Sequence, residues 1–150
     1  MRLVLALGAG ILGLFCLGGV GVFVSLYDEA TEIKRSAPDA VVDNFLGAYL
    51  TSRNDADASL YTCGAEANLS ALTSLRTEML NREQKFGTSV AATWADMEVA
   101  GTANTRKSVA VELTIAGWSD GQQVSSRKEL WSFDVVDRNG WRVCGAAKQA

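Results

Sequence analysis

The chain has 150 residues, with 14 lysines and arginines against 17 aspartates and glutamates, a formal net charge of −3 and no histidine. This acidic balance gives no attraction to phosphate backbones, so the composition argues against nucleic-acid binding. The lack of histidine excludes Ser-His-Asp and Cys-His catalysis in their usual form and removes the commonest zinc ligand.

The first predicted element is an uncharged apolar stretch over residues 3–26. At about 1.5 Å per residue it forms a helix of roughly 36 Å, which is enough to cross a hydrocarbon core of about 30 Å. The sequence therefore predicts a cytoplasmic tip and transmembrane anchor over residues 1–27, a short linker over 28–36 and one domain over 37–150. A cleaved signal peptide is the alternative, although its apolar core is usually about 7 to 15 residues long.

The charges on either side of the anchor predict its orientation. Arg2 precedes the apolar stretch, whereas Asp28, Glu29 and Glu32 follow it. By the positive-inside rule the N-terminus stays in the cytoplasm and the C-terminal domain is extracytoplasmic. We therefore expect a single-pass protein of the cell membrane.

Two of the three cysteines, Cys63 and Cys144, fall in the predicted exported domain. In an oxidising compartment the simplest arrangement is one disulfide between them. In the chain-entropy model, closing a loop of about 80 residues stabilises a fold by roughly 4.5 kcal/mol. Two buried free thiols are the alternative.

Helical patterns occupy the first half of the domain. The sequence Ser-Ala-Pro-Asp at 36–39 predicts a helix start with the serine hydroxyl as its cap, and apolar residues then recur at helical spacing over 41–52. Asn54 can cap a second short helix at 56–61, and a third helix is predicted to stop at Gly87. The apolar stripe of this third helix consists of Leu69, Leu72, Leu75, Met79 and Leu80.

The period changes to two after Ser89, which is typical of strands with one buried face. The predicted strands cover residues 90–99, 109–115, 131–135 and 141–144. Turn sequences at 119–121 and 137–140 connect neighbouring strands. The sequence therefore predicts an antiparallel meander of about four strands, and helices followed by strands indicate an α+β domain.

The alternation also predicts which acidic side chains face the core. Glu112 and Asp134 have the opposite parity to their apolar neighbours, so both are expected to point away from the apolar face. The parity around Asp96 is undefined, and Tyr49 lies on the apolar stripe of the first helix. The ordinary interpretation of these two residues is a surface aspartate and a buried tyrosine.

Two further patterns bear on binding. Asp55, Asp57 and Glu66 match ligand positions of a calcium loop, but Leu60 stands where such a loop requires glycine, so no metal site is predicted. Tryptophans can line a pocket or stack on a ligand, and Trp118, which lies beside a predicted turn, is the candidate for an exposed partner contact.

The order of these elements resembles the nuclear transport factor 2-like superfamily, whose domains form a cystatin-like cone. The resemblance covers about residues 38–145 and rests on the first helix, the short helix ending at Cys63 and the terminal strand Asn-Gly-Trp-Arg-Val-Cys at 139–144. More narrowly, the chain is similar to small membrane-anchored actinobacterial proteins, of which the Mce-associated proteins are one group. The resemblance implies a curved sheet that wraps the first helix and leaves a cavity at its wide end.

The resemblance implies two classes of function. Several anchored members are assembly pieces of envelope transport or secretion machines, whereas enzymatic members place a carboxylate base inside the cone. The anchor and the lack of a convergent polar site favour a non-enzymatic envelope protein without a cofactor, which binds other envelope proteins or itself. The alternative is a small-molecule-binding or isomerase/dehydratase-like cone that uses an acid in its pocket. For such a cone the resemblance implies Asp96 and Tyr49 as the candidate pocket pair.

Overall fold

The computed structural model describes residues 35–150. The predicted anchor at 1–27 and most of the predicted linker lie outside the described residues. Within residues 35–150, no helix is both long enough and apolar enough to span a membrane.

Helical elements come first in the described chain, as predicted. They are α1 (Pro38–Leu46), a π-helix (Gly47–Thr51), α2 (Asp55–Ser59), a 3₁₀ turn (Gly64–Glu66) and α3 (Ser70–Phe86). The predicted Ser36 cap is wrong, because Ala37 is the N-cap and no side chain caps α1. The reason is Pro38, which disfavours the helical conformation in the residue before it and so fixes the helix start one residue later.

The predicted Asn54 cap and Gly87 stop are confirmed, whereas α2 ends at Ser59, two residues before the predicted end at Tyr61. The Asn54 side-chain oxygen accepts hydrogen bonds from the backbone N–H groups of Ala56 and Asp57 at 3.1 and 3.2 Å, which caps α2. Gly87 ends α3 in the left-handed conformation with φ 62°, and its N–H donates to the Glu83 carbonyl oxygen at 2.9 Å. Such a left-handed helix end favours glycine, which carries no Cβ.

The predicted four-stranded antiparallel meander is confirmed. Its strands are β1 (Ser89–Ala100), β2 (Arg106–Ser119), β3 (Gln122–Asp137) and β4 (Trp141–Lys148), in the spatial order β1-β2-β3-β4. β3 is much longer than predicted. Its first half is polar and shows no hydrophobic period, so the pattern predicts only the second half. Register shifts occur between Ala95 and Met97, between Gly117 and Trp118, and between Asp134 and Val135. Bulges of this kind bend strands, and they give the sheet the curvature of a cone.

Apolar side chains from α1, α3 and the inner face of the sheet fill the core. Its largest fully buried side chains are Trp131, Phe45, Phe133, Leu46, Leu50, Leu72, Met79, Leu113 and Ile115. Glu112 and Asp134 are exposed, as their parity predicts.

A disulfide joins Cys63 and Cys144, which confirms the predicted bridge. The segment around it also covers the outer edge of β4. The Cys63 N–H donates to the Val143 carbonyl at 2.9 Å, and the Asn68 N–H donates to the Cys144 carbonyl at 2.8 Å. The two margins of the sheet therefore differ, because β1 at the opposite margin is an edge strand.

Candidate functional site

One acidic side chain of the described chain is buried in the cone, and it is Glu129 on the inner face of β3. Only 8% of Glu129 is exposed. Its Oε1 accepts hydrogen bonds from Arg127 Nε at 2.8 Å and from Lys148 Nζ at 2.9 Å, and its Oε2 accepts from Trp131 Nε1 at 3.1 Å. Both carboxylate oxygens of Glu129 are therefore occupied by donors. We call these four residues the Glu129 cluster.

The Glu129 cluster extends to α3 through Arg127. The two terminal nitrogens of the Arg127 guanidinium donate to the two carboxylate oxygens of Glu78 at 2.7 and 2.8 Å. Such a two-point contact is the strongest geometry for an arginine–carboxylate pair. Charged side chains thus link α3, β3 and β4 at this end of the core.

The charge on Glu129 is set by two opposing effects. Burial acts to raise the pKa of Glu129, but the hydrogen bonds from Lys148, Arg127 and Trp131 outweigh burial and hold that pKa below its ordinary value. The Glu78 carboxylate is the main cause of a raised pKa at Arg127. Glu129 is therefore ionised at neutral pH and is a poor proton acceptor there.

A cavity of about 310 Å³ lies beside the Glu129 cluster, between α3 and the inner face of the sheet. Its lining residues are Ala71, Ser74, Leu75, Glu78, Glu129, Trp131 and Lys148. The carboxylates of Glu78 and Glu129 and the ammonium of Lys148 are already engaged with one another or with Arg127. A ligand in this cavity would therefore meet charged groups that are already paired within the chain.

Glu129 is not among the residues predicted to lie in a pocket, although the sequence contains a signal for it. Glu129 has the same parity as Trp131, Phe133 and Val135, which alternate on the buried face of β3. Extending that alternation by one step toward the N-terminus places Glu129 inside the cone. The residues before Trp131 are mostly polar, so the hydrophobic alternation does not itself extend the predicted strand to Glu129.

Tyr49, one member of the predicted pocket pair, is packed between α1 and α3. Its ring stacks on Phe45 with the ring centroids 5.4 Å apart, and the Arg76 guanidinium carbon lies 4.6 Å from the Tyr49 ring centroid. The Tyr49 hydroxyl is hydrogen-bonded to Thr73 Oγ1 at 3.0 Å. These contacts engage both the ring and the hydroxyl of Tyr49.

Asp96, the other member, lies in the bulge of β1 and is exposed, with φ 41°. It lines a surface groove of about 390 Å³ between α1 and β1. The residues that line this part of the groove, its first lobe, are Asp39, Ala40, Asp43, Trp94, Ala95, Asp96 and Met97. Tyr49 is not among them, so the structure does not bring Tyr49 and Asp96 together in this groove. The bulge also explains why the parity around Asp96 is not readable from the sequence.

A second lobe of about 320 Å³ shares Asp43 and Trp94 with the first, and we call the two lobes together the α1–β1 groove. The second lobe is lined by Asp43, Asn44, Gly47, Ala48, Ser52, Asp57, Tyr61 and Trp94. Trp94 Nε1 donates to Asp43 Oδ1 at 2.8 Å, which fixes the indole ring between the lobes. Trp94 is one of the four tryptophans of the chain, and the sequence does not distinguish it from the others as a pocket residue.

The α1–β1 groove is strongly acidic. Four aspartates line it, namely Asp39, Asp43, Asp57 and Asp96, and neither lobe is lined by a lysine or arginine. No other described residue forms an ion pair with any of the four. Over residues 35–150, no group of three or more acidic or cysteine side chains is arranged to hold a metal ion.

Trp118, the predicted partner contact, lies near the end of β2 beside the turn into β3. It is half-buried, and its backbone pairs with Ser89 and Gln123. Part of its surface remains accessible. A contact between Trp118 and a partner stays a prediction.

No protein-family model and no curated protein matches the chain. The fold is similar to solved structures of cone proteins. A proposed aromatic ring hydroxylase from Novosphingobium aromaticivorans is 16% identical, with a TM-score of 0.52 over 77% of this chain and 87% of its own. Aln2 from a Streptomyces species is 15% identical, with a TM-score of 0.54 over 83% of this chain and 90% of its own.

A third similar structure is an uncharacterised protein with a cystatin-like fold from Caulobacter vibrioides. It is 16% identical, with a TM-score of 0.45 over 75% of this chain and 88% of its own. The similarity to the first two structures extends over most of both chains, and it confirms the predicted cone fold. At such identities the similarity establishes the fold alone, because one fold hosts many functions.

Proposed function

We propose that this chain is a non-enzymatic, single-pass envelope protein whose extracytoplasmic cone domain mediates protein–protein assembly. In this proposal it is accessory to a transport or secretion system and belongs with the membrane-anchored actinobacterial type that includes Mce-associated proteins. The observation that carries the proposal is the state of the cone interior. The core is packed with apolar side chains, and in the cavity between α3 and the sheet both carboxylate oxygens of Glu129 are already bonded to donors of the chain.

A catalytic cone needs an acid or base with a free lone pair or proton, a pKa near the working pH and room for a substrate. Glu129 has a lowered pKa and three donors, and the Tyr49 hydroxyl is bonded to Thr73. Asp96 is exposed on the surface rather than enclosed in an apolar pocket. These observations favour a function carried by the outside of the domain.

The disulfide supports the extracytoplasmic part of the proposal. Disulfides form and persist in oxidising compartments and are rare in the cytosol. The Cys63–Cys144 bridge therefore agrees with export of the domain behind the predicted anchor. The anchor would then keep the domain close to other proteins of the same membrane.

The proposal is tested by crosslinking the tagged, full-length protein in cells and identifying the copurified proteins by mass spectrometry. A secreted version without residues 1–27 is the control. We expect a reproducible set of envelope proteins that the control does not recover. Recovery of the bait alone would contradict an assembly role and would redirect the search to ligands of the cone.

A further inference from the structure

The α1–β1 groove concentrates negative charge that the described chain does not neutralise. Its four aspartates lack ion-pair partners among the described residues, whereas the whole chain has a formal charge of only −3. Like charges on the walls of one groove reinforce each other and raise the local concentration of cations. The groove is therefore complementary to a positively charged partner.

Trp94 indicates which kind of positively charged group the groove binds best. Its indole lines both lobes, and the hydrogen bond from Nε1 to Asp43 holds the ring in place. A fixed indole face flanked by carboxylates favours an arginine or lysine side chain, which gains both charge pairing and a cation–π contact. Small hard ions gain less from the ring, because they would have to give up tightly held water to contact it.

The position of the groove along β1 indicates the shape of the partner. β1 is an edge strand, and the polar backbone groups of Val90 are bonded to Glu83 and Arg53 at 2.9 and 3.2 Å. From residue 91 to 100, no hydrogen bond within the described chain joins the β1 backbone to an element other than β2. An open strand edge pairs readily with an extended segment of another protein. The bulge at Asp96 limits such pairing to a few residues on either side of it.

We propose that the α1–β1 groove binds an extended, basic segment of a partner protein, with an arginine or lysine side chain over Trp94 near Asp43 and Asp96. This inference rests on the proposed assembly function and adds the chemistry of the partner. A second copy of this chain fits poorly, because a symmetric contact would bring the same four carboxylates against each other.

The inference is tested with a photocrosslinking amino acid at Ala95 in the full-length protein in cells. Ala95 lines the groove and is exposed, so its replacement leaves all four aspartates in place. A matched probe at Ala147, which is exposed on β4, reports contacts made elsewhere on the sheet. We expect the Ala95 probe to capture a segment rich in lysine and arginine, which mass spectrometry of the crosslinked peptide identifies.

Charge neutralisation gives the second arm. The double variant Asp43→Asn/Asp96→Asn keeps the side-chain shapes, and the asparagine at 43 still offers an oxygen to Trp94. We expect it to reduce capture at Ala95 on the order of tenfold. The matched variant Asp120→Asn/Asp134→Asn removes two exposed carboxylates outside the groove and should leave capture unchanged.

The possible outcomes separate the two proposals. Capture at Ala147 without capture at Ala95 overturns the groove inference and leaves the assembly function standing. Capture at Ala95 of an acidic or neutral segment, or of a second copy, also overturns the groove inference, as does capture that the groove double variant does not weaken. Absence of capture at both positions overturns the groove inference, and the assembly function is then decided by the copurification experiment alone.

Discussion

The Glu129 cluster and the α1–β1 groove both contain a tryptophan bonded to a carboxylate, but they differ in whether basic side chains neutralise the negative charge. In each, a tryptophan N–H donates to a carboxylate, at 3.1 Å from Trp131 to Glu129 and at 2.8 Å from Trp94 to Asp43. Around Glu129 two basic side chains complete the set, whereas the groove aspartates have no basic partner in the described chain. Buried charges must be paired to be tolerated, but exposed ones need no internal partner and remain available for binding.

The comparison predicts that stability depends on the cluster side of the molecule and recognition on the groove side. The largest expected effect tests the covalent frame of the cluster side. The Cys63–Cys144 disulfide ties β4, which carries Lys148, to the segment that leads into α3. Changing both cysteines to alanine should lower the free energy of unfolding by roughly 4.5 kcal/mol, because the unfolded chain regains the entropy of the closed loop.

Thermal unfolding under oxidising conditions, followed by circular dichroism, measures this loss. The control is the wild-type protein treated with a reductant, which should approach the variant. An unchanged melting temperature would show that the disulfide does not stabilise the folded domain.

The next effect breaks the cluster directly. Glu129→Gln keeps the shape of the side chain but leaves Arg127 and Lys148 without their common carboxylate. We expect a loss of about 2 kcal/mol in the free energy of unfolding, because the neutral side chain loses the charge-assisted hydrogen bonds from Lys148 and Arg127. The loss is not larger because Arg127 keeps its pair with Glu78 and Lys148 is half-exposed. Urea unfolding measures it, and Glu112→Gln, in an exposed pair with Lys128, is the control with little expected change. Equal losses in the two variants would contradict the difference drawn between buried and exposed carboxylates.

A pH series sharpens the same contrast. The pKa of Glu129 is lowered in the folded protein, so its contribution is fully present above the unfolded pKa of about 4.3 and is lost as pH falls through the lower folded pKa. The stability difference between wild type and Glu129→Gln should therefore shrink below about pH 4. Urea titrations of both proteins across acidic pH check the sign, and a difference that grows in acid would refute it.

The sequence predicts the helices and strands that carry the two regions better than it predicts the side-chain contacts within them. Alternation in β2 and in the second half of β3, the Asn54 cap and the Gly87 stop are local signals, and each is confirmed. Strand parity in β3 places Glu129 on the buried face, but its partners from α3 and β4 lie far away in the sequence, so no local pattern reveals the whole cluster. The α1–β1 groove depends on the bulge at Asp96, which hides strand parity, and on the approach of α1 to β1.

The smallest expected effect concerns the groove, and it tests whether the groove aspartates hold the fold together. Asp43→Asn/Asp96→Asn should change the free energy of unfolding by less than about 0.5 kcal/mol, because both side chains are exposed and neither loses an ion pair within the described chain. Relief of repulsion among like charges would make any small change stabilising.

Urea unfolding monitored by tryptophan emission measures this change, and it also reports the environment of Trp94. The companion variant Asp43→Ala removes the acceptor of Trp94 Nε1, so it should show more exposed indole fluorescence than Asp43→Asn. A loss of several kcal/mol in Asp43→Asn/Asp96→Asn would mean that these carboxylates stabilise the fold, as Glu129 does. The distinction between the two regions would then be wrong, because charge left unpaired within the chain would be serving stability rather than recognition.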